Sequence, residues 1–252
     1  MPPPKTKRAV AHKYYMWPKQ SGVPADVWAY VDVLVMQGTA EQAAHLAEII
    51  TGPGGWNQAC GVQFRFSQRA DAPVRVTFEI GASWSQLGNY GVHGPFKKPT
   101  MQLGWLLEGR TSEIEWRRVA LHEFGHALAL EHEQHHPGVQ IPWDREAVYQ
   151  YFWDKDHWSR DRVDAQIFTP LAVEVAQTTA YDPDSIMHYA IPDYLLTDPS
   201  WAVGSNWQLS AGDVAAVQAW YGPPPEQPLT MPPNPHPGET WDKTYFPVIH
   251  RK

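Results

Sequence analysis

Cysteine is almost missing from this chain, which has only Cys60 among 252 residues. A lone thiol forms no internal disulfide, so a disulfide-stapled scaffold is excluded and an apolar core must hold the fold. No apolar run approaches the roughly twenty residues that a membrane-spanning helix needs. There is no long basic cluster either, and the net charge is -7, which argues against a nucleic-acid partner. These absences favour an ordinary soluble globular protein, with a monomer as the default expectation.

The N-terminal segment MPPPKTKRAVAHKYY is basic but lacks the apolar stretch of a secretory signal. Either a signal was removed earlier, or export takes another route, or the protein stays inside the cell. Because one cysteine does not decide the redox compartment, localisation stays open at this point.

One run, HEFGHALALEH, carries the strongest chemical signal. His122 and His126 are four residues apart and therefore lie on the same face of a helix, where both imidazoles can bind one metal ion. Glu123 lies beside them and can reach a metal-bound water without binding the metal, which suits a general base. The pattern predicts a hydrolytic Zn²⁺ site.

A third ligand, His132, needs a break in the helix. It follows His126 by six positions, and on an unbroken helix it would point away from the metal. We therefore expect the chain to leave the helix near Ala129 or Leu130 and to turn back beneath the metal. Such a turn favours glycine, and a non-glycine residue in the left-handed region costs roughly 1 kcal/mol or more.

The same run resembles the long zinc signature of the metzincin metallopeptidases, with Ala129 where that family has glycine. The segment YDPDSIMHY, from Tyr181 to Tyr189, is similar to the Met-turn of the astacin branch. The resemblance extends from about Tyr14 to Gly222 and includes SWSQLGN at 83–89 and PTMQLGWL at 99–106.

This resemblance implies a zinc-dependent endopeptidase with an α+β, zincin-like fold. A twisted mixed sheet and the helix that carries the first two ligands would form an upper part. A mostly irregular lower part would carry the third ligand, the Met-turn and a C-terminal helix. Met187 would lie under the zinc, and Tyr189 would reach the metal or stabilise an oxyanion. The resemblance also favours a secreted protein.

The substrate implied by the resemblance is a protein or peptide. An extended peptide would pair with an edge strand of the sheet, which we assign to the residues Gln102, Leu103, Gly104 and Trp105. A specificity pocket would be walled by residues after the Met-turn, namely Ile191, Pro192 and Tyr194.

Two alternatives remain open. In one, Glu146, on the plausible helix WDREAVYQYF, replaces His132 in a site of two histidines and one glutamate. In the other, zinc is bound but the chain is a catalytically impaired peptide-binding or structural module.

Local patterns predict the elements around the motif. Strands are expected at 27–36, 62–66 and 74–80. Capping signals predict three helices, which begin at Thr39 with Gln42, at Ser112 with Glu115, and at Ser210 with Asp213. The predicted organisation is a polar extension over 1–13, a catalytic domain over 14–222 and a proline-rich tail over 223–252.

Overall fold

A mixed five-stranded sheet forms the upper part of the protein, in a computed structural model that describes residues 9–107 and 109–230. Its strands are β2 (Ala29–Gln37), β3 (Val62–Phe66), β4 (Val74–Thr77), β5 (Trp84–Ser85) and β6 (Met101–Gln102). The strand order is β3-β2-β4-β6-β5, and only β5 runs antiparallel to its neighbour. The α+β prediction with a mixed sheet is confirmed, and the strands expected from alternation are present.

The edge strands of the sheet are β3 and β5, so the assignment of Gln102–Trp105 to an edge strand was wrong. Strand β6 ends at Gln102 and has β4 on one side and β5 on the other. Beyond it the chain turns, because Leu106 donates its N–H to the Leu103 carbonyl. Gly104 packs so closely on the backbone of Gly81 that a Cβ there would overlap it. The pattern TMQLGWL therefore predicts one long strand, but the close packing of Gly104 ends the strand after two residues.

The helices begin where their capping residues predict. They are α1 (Ala40–Thr51), α2 (Glu113–Ala127), α3 (Arg145–Asp156), α4 (Arg160–Val163) and α5 (Ala211–Tyr221). Reciprocal capping boxes start α1 and α5, at Thr39 with Gln42 and at Ser210 with Asp213. At Ser112 only the serine half of the box forms. No described helix combines the length and the apolar character that crossing a membrane requires.

The main core lies between the sheet and helices α1 and α2. Phe124, inside the HEFGH motif, is fully buried and packs edge-on against Phe64 of β3, with 4.9 Å between the ring centroids. Burial of such a side chain stabilises the fold by about 1.5–3 kcal/mol. Cys60 belongs to this core, and burial raises the pKa of its thiol to about 12, so the thiol stays protonated there.

The N-terminal boundary at residue 14 was wrong, because the domain already includes residue 9. Ala9, Val10 and Ala11 are fully buried. Strand β1 (Val10–His12) pairs antiparallel with β7 (Ala176–Thr178) in the lower part of the protein. Three small apolar residues between basic ones are too short a pattern to predict a strand from sequence.

After α5 the chain stays in contact with the domain up to the last described residues. The backbone of Leu229 donates to the Gln63 side chain over 2.9 Å and accepts from the Asn57 side chain over 3.0 Å. The start of the predicted tail thus lies against the β3 side of the sheet. The rest of it, including ETWDKTYFPV, lies outside the described residues.

Candidate metal centre

Helix α2 presents His122 and His126 on one face, one turn apart. Their ring centroids are 4.9 Å apart and their planes are nearly perpendicular. The helix is anchored at its start, where the Ser112 hydroxyl accepts from the Glu115 N–H. The two imidazoles therefore occupy the geometry that the four-residue spacing predicts.

The helix ends at Ala127, and Ala129 takes the left-handed conformation with φ 69°. The Ala129 N–H bonds the His126 carbonyl, and the Leu130 N–H bonds the Gly125 carbonyl. These two bonds form a Schellman motif, with alanine in the position that glycine usually occupies. The expected turn at Ala129 is thereby confirmed.

Distant groups cap the carbonyls at this helix end. The Ala127 oxygen accepts from the Trp17 indole over 2.8 Å, and the Leu128 oxygen accepts from the Tyr221 hydroxyl over 2.7 Å. The Ala129 oxygen accepts from the His12 N–H over 2.8 Å. The end of α2 therefore has no local signal in the sequence, because the donors to its last carbonyls come from the N-terminal region and from α5.

The turn brings His132 back to the other two histidines. Its Nε2 lies 3.1 Å from Nε2 of His126, and one nitrogen from each of the three rings falls within 4.8 Å of the others. Among the described residues, this is the one group of histidine, cysteine or carboxylate side chains placed to hold a metal ion.

Two of these imidazoles have their tautomer set by a carbonyl. His122 Nδ1 is 2.8 Å from the Ile186 oxygen, and His126 Nδ1 is 2.8 Å from the Leu130 oxygen. A carbonyl only accepts, so each Nδ1 carries the proton and each Nε2 keeps its lone pair for a metal. Three imidazole donors fit zinc and leave a fourth position for water or substrate.

Burial keeps these histidines neutral. Desolvation, with repulsion from His126, lowers the pKa of His122 to about 3. Desolvation likewise lowers the pKa of His126 to about 4, and it holds that of His132 well below its usual value. Protons therefore compete little with a metal for these nitrogens near neutral pH.

Glu123 is buried beside the ligands, with 7% of its surface exposed. Desolvation raises its carboxyl pKa to about 8, although the nearby positive charge of Arg118 opposes the shift. A bound divalent cation would lower this pKa again, because positive charge favours the carboxylate. A group balanced in this way can both accept and release a proton near neutral pH.

The Met-turn lies directly beneath α2. Met187 is fully buried, and a Cβ on Gly125 would overlap its sulfur. Sequence reasoning missed Gly125, although a glycine inside a helix costs about 1 kcal/mol relative to alanine and so signals a close packing contact.

Sequence reasoning also missed the role of Asp213, which appeared only as a cap of α5. Its buried carboxylate accepts from the Ile186 N–H over 2.9 Å and from the Ser185 hydroxyl over 2.6 Å. Ile186 is the residue whose carbonyl orients His122. Helix α5 thereby holds the Met-turn in place behind a zinc ligand.

Tyr189 lies next to the ligands. Its ring centroid is 4.3 Å from that of His132 and 6.0 Å from that of His122. Its N–H bonds the Gln134 side chain over 3.4 Å, and burial raises the pKa of its phenol above the usual value. The hydroxyl therefore stays protonated and can donate a hydrogen bond.

The assignment of Ile191 to the wall of a specificity pocket was wrong, because this residue is 1% exposed and packs with Leu196 and Val203 in a small core. Pro192 is partly exposed, and Tyr194 is 61% exposed, so these two stay accessible. Glu146 lies on α3 in a bidentate ion pair with Arg160 and is not part of the histidine cluster, which removes the site of two histidines and one glutamate.

A mixed sheet, a helix with HExxH, a third histidine after a left-handed turn and a methionine beneath them define a metzincin-type zinc centre. Two solved structures of myroilysin resemble the chain at 33% and 34% identity. They match 84% and 82% of this chain and 98% and 88% of theirs, with TM-scores of 0.76 and 0.57. The chain belongs to the astacin-like metzincins, a family of zinc-dependent peptidases, and its metal is zinc.

A more distant structure shares the fold. It is high choriolytic enzyme 1, a hatching enzyme zinc-protease from the medaka fish Oryzias latipes, at 18% identity and a TM-score of 0.53. The match covers 83% of this chain and 95% of that one. No protein-family model and no curated protein matched the chain.

Proposed function

We propose that the protein is a zinc-dependent endopeptidase in which Glu123 is the general base. The observation that carries this proposal is the convergence of three imidazole nitrogens within 4.8 Å, next to a buried glutamate on the same helix. Zinc held by His122, His126 and His132 supplies Lewis-acid chemistry, polarising a carbonyl and lowering the pKa of a water toward about 7.

Glu123 moves the proton. Its carboxylate accepts a proton from the water that attacks the peptide carbonyl, and it then delivers that proton to the departing amine nitrogen as the C–N bond breaks. The low exposure of Glu123 supports this role, because burial shields its carboxyl from bulk water. The pKa of about 8 in the metal-free protein supports it as well.

Tyr189 stabilises the developing negative charge. Its phenol stays protonated, lies beside His132 and is 39% exposed, so it can donate to a carbonyl oxygen bound at the site. A preorganised donor of this kind contributes most when the oxygen becomes anionic. Direct binding of zinc by the phenol is the alternative role.

The substrate is an extended protein or peptide segment that adds to the free side of β5. Helix α2 contacts this strand, so a peptide paired with it would run past the histidines. Trp84 on β5 and Trp105 after β6 are 39% and 53% exposed and offer apolar surface to substrate side chains. Family membership favours a secreted enzyme.

Incubation with an unfolded protein substrate tests the proposal, with the wild type and Glu123→Gln compared at matched zinc content. We expect the wild type to cleave internal peptide bonds, to stop when a zinc chelator is added and to recover when zinc is restored. Glu123→Gln should keep zinc and lose nearly all activity. An unimpaired Glu123→Gln would refute the role of the base, and a wild type that binds zinc without cleaving would favour a binding module.

A further inference from the structure

Strand β1 contacts the loop between the second and third zinc ligands through its own backbone. The His12 N–H donates to the Ala129 oxygen over 2.8 Å, and the Val10 oxygen accepts from the Glu131 N–H over 3.0 Å. Ala11 forms an antiparallel bridge with Leu130. The other edge of strand β1 pairs with β7, so β1 is the middle strand of a small three-stranded arrangement.

The segment 129–131 has two tasks at the site. It reverses the chain so that His132 meets the other ligands, and its Leu130 carbonyl accepts from His126 Nδ1 over 2.8 Å. A shift of this loop would therefore disturb the second and the third ligand together.

The loop holds a conformation that its own sequence disfavours. Ala129 has φ 69°, in the left-handed region that is unfavourable for any residue with a Cβ. Its neighbour Gly88 has φ 44° and is placed so that a Cβ on it would lie 2.9 Å from the Ala129 methyl. External support must offset that cost, and β1 supplies two hydrogen bonds directly to the turn.

We propose that β1 is a positioning element of the zinc site: its backbone holds the left-handed alanine turn in the conformation that joins His132 to His122 and His126. This inference rests on zinc binding and not on peptide cleavage. Measurement of zinc affinity therefore distinguishes its failure from failure of the proposed peptidase activity.

Three single substitutions in the full chain test the proposal. His12→Pro removes the N–H that bonds Ala129, at a residue whose φ of -93° is near the range of proline. Lys13→Pro removes an N–H that bonds Val175 on the β7 side instead, at the first position of a 3-10 turn, which accepts proline. His12→Ala keeps the amide and removes only the ring that packs on Tyr15.

Zinc dissociation constants are measured by competition with a chromophoric chelator, and amide exchange is measured at Glu131. We expect His12→Pro to raise the dissociation constant about tenfold and to accelerate exchange at Glu131, consistent with the loss of a structural hydrogen bond. Lys13→Pro and His12→Ala should stay within about twofold of the wild type. Equal effects of the two prolines, or no effect of His12→Pro, would overturn the proposal.

Ala129→Gly supplies the second measurement. Glycine adopts φ near 69° without strain, so His12→Pro should raise the dissociation constant only about threefold in this background. If His12→Pro alone does not fold, the proposal expects the double variant to recover folding and zinc binding. A double variant as impaired as His12→Pro alone would contradict it.

Discussion

In two of the three histidines that would hold zinc, the two ring nitrogens have different tasks. In His122 and His126, Nδ1 donates to a backbone carbonyl and Nε2 faces the other ligands. Because burial lowers the pKa values of these rings to about 3 and about 4, they are already neutral at the pH where a peptidase works. Burial raises the pKa of Glu123 to about 8, so we expect this carboxyl to lose its proton when zinc binds.

Proton release on zinc binding tests this assignment. Near pH 6, which is below the pKa of about 7 of a typical zinc-bound water, the Glu123 carboxyl is protonated without zinc and loses its proton when the cation arrives. Calorimetry in buffers of different ionisation enthalpy should find about one proton released per zinc in the wild type and close to none in Glu123→Gln. Equal release from both proteins would assign the proton to a ligand or to water instead.

Tyr189→Phe separates the two roles of the phenol. If Tyr189 acts as an oxyanion donor, its loss should lower kcat about a hundredfold or more and leave KM and zinc affinity nearly unchanged. A matched exposed tyrosine, Tyr194→Phe, should change kcat little. A large rise in the zinc dissociation constant would show instead that the phenol is a ligand.

At the residue scale, the sequence predicts those site residues whose positions follow from their spacing along the chain. His122, Glu123 and His126 follow from helical periodicity, and His132 follows once the chain is allowed to turn. Ile191 could not be assigned in this way, because only the bridge between Ile191 and Val203 shows that its side chain turns into a core. Gly125 was recognisable in principle but needed Met187 to explain it.

At the scale of elements, α5 is connected to the zinc site through hydrogen bonds. Asp213 accepts from the Ser210 N–H as part of a helix cap and from the Ile186 N–H as an anchor of the Met-turn. The Ile186 carbonyl then fixes the ring of His122. One carboxylate therefore serves both the start of a helix and the orientation of a ligand.

Separate substitutions of Asp213 and Ser210, the two residues of the α5 capping box, distinguish these roles. Asp213→Asn replaces a carboxylate that accepts several hydrogen bonds with an amide that cannot accept them all. The Met-turn behind His122 should then be held less firmly, and zinc binding should weaken about tenfold or more. Ser210→Ala removes the cap hydroxyl but leaves the bond from Ile186, so it should lower stability by about 1 kcal/mol with little change in zinc affinity. Zinc competition and thermal melting measure the two effects. Equal zinc affinities in both variants would argue against the anchoring role.

Helix starts have local sequence signals, whereas the end of α2 has none and was expected only because His132 must reach the metal. Thr39, Ser112 and Ser210 cap helices through side chains within three residues, so the signal is local. The end of α2 depends on Trp17, Tyr221 and His12, and no short window of sequence contains those partners. Strand β6 was predicted too long for a similar reason, since the close packing of Gly104 on Gly81 that ends it is not visible in the local sequence.

At the scale of the whole molecule, zinc connects separate parts of the fold. His122 and His126 come from a helix packed on the sheet, whereas His132 comes from the lower part, where β1 and β7 pair. A metal that binds only the folded arrangement must stabilise it, and the gain rises with the logarithm of the free metal concentration once that concentration exceeds the dissociation constant. The α+β class was accessible from sequence, but the role of residues 9–12 was not, since it depends on pairing with residues far along the chain.

Zinc removal should therefore destabilise the whole domain. At a free zinc concentration of about a hundred times the dissociation constant, the gain is about 2.7 kcal/mol, which corresponds to about 5–10 °C in Tm for a domain of this size. Differential scanning calorimetry should find this shift in the wild type and in Glu123→Gln, and a much smaller one in His132→Ala. A zinc-independent Tm in the wild type would contradict a site shared between the two parts.

X-ray absorption at the zinc edge tests the central claim most directly. The wild type should have three imidazole ligands at about 2.0–2.1 Å, no sulfur ligand and at least one further light-atom ligand from water or Tyr189. His132→Ala should lose one imidazole from that shell. A zinc with only two imidazoles in the wild type, or a shell that His132→Ala leaves unchanged, would contradict the account.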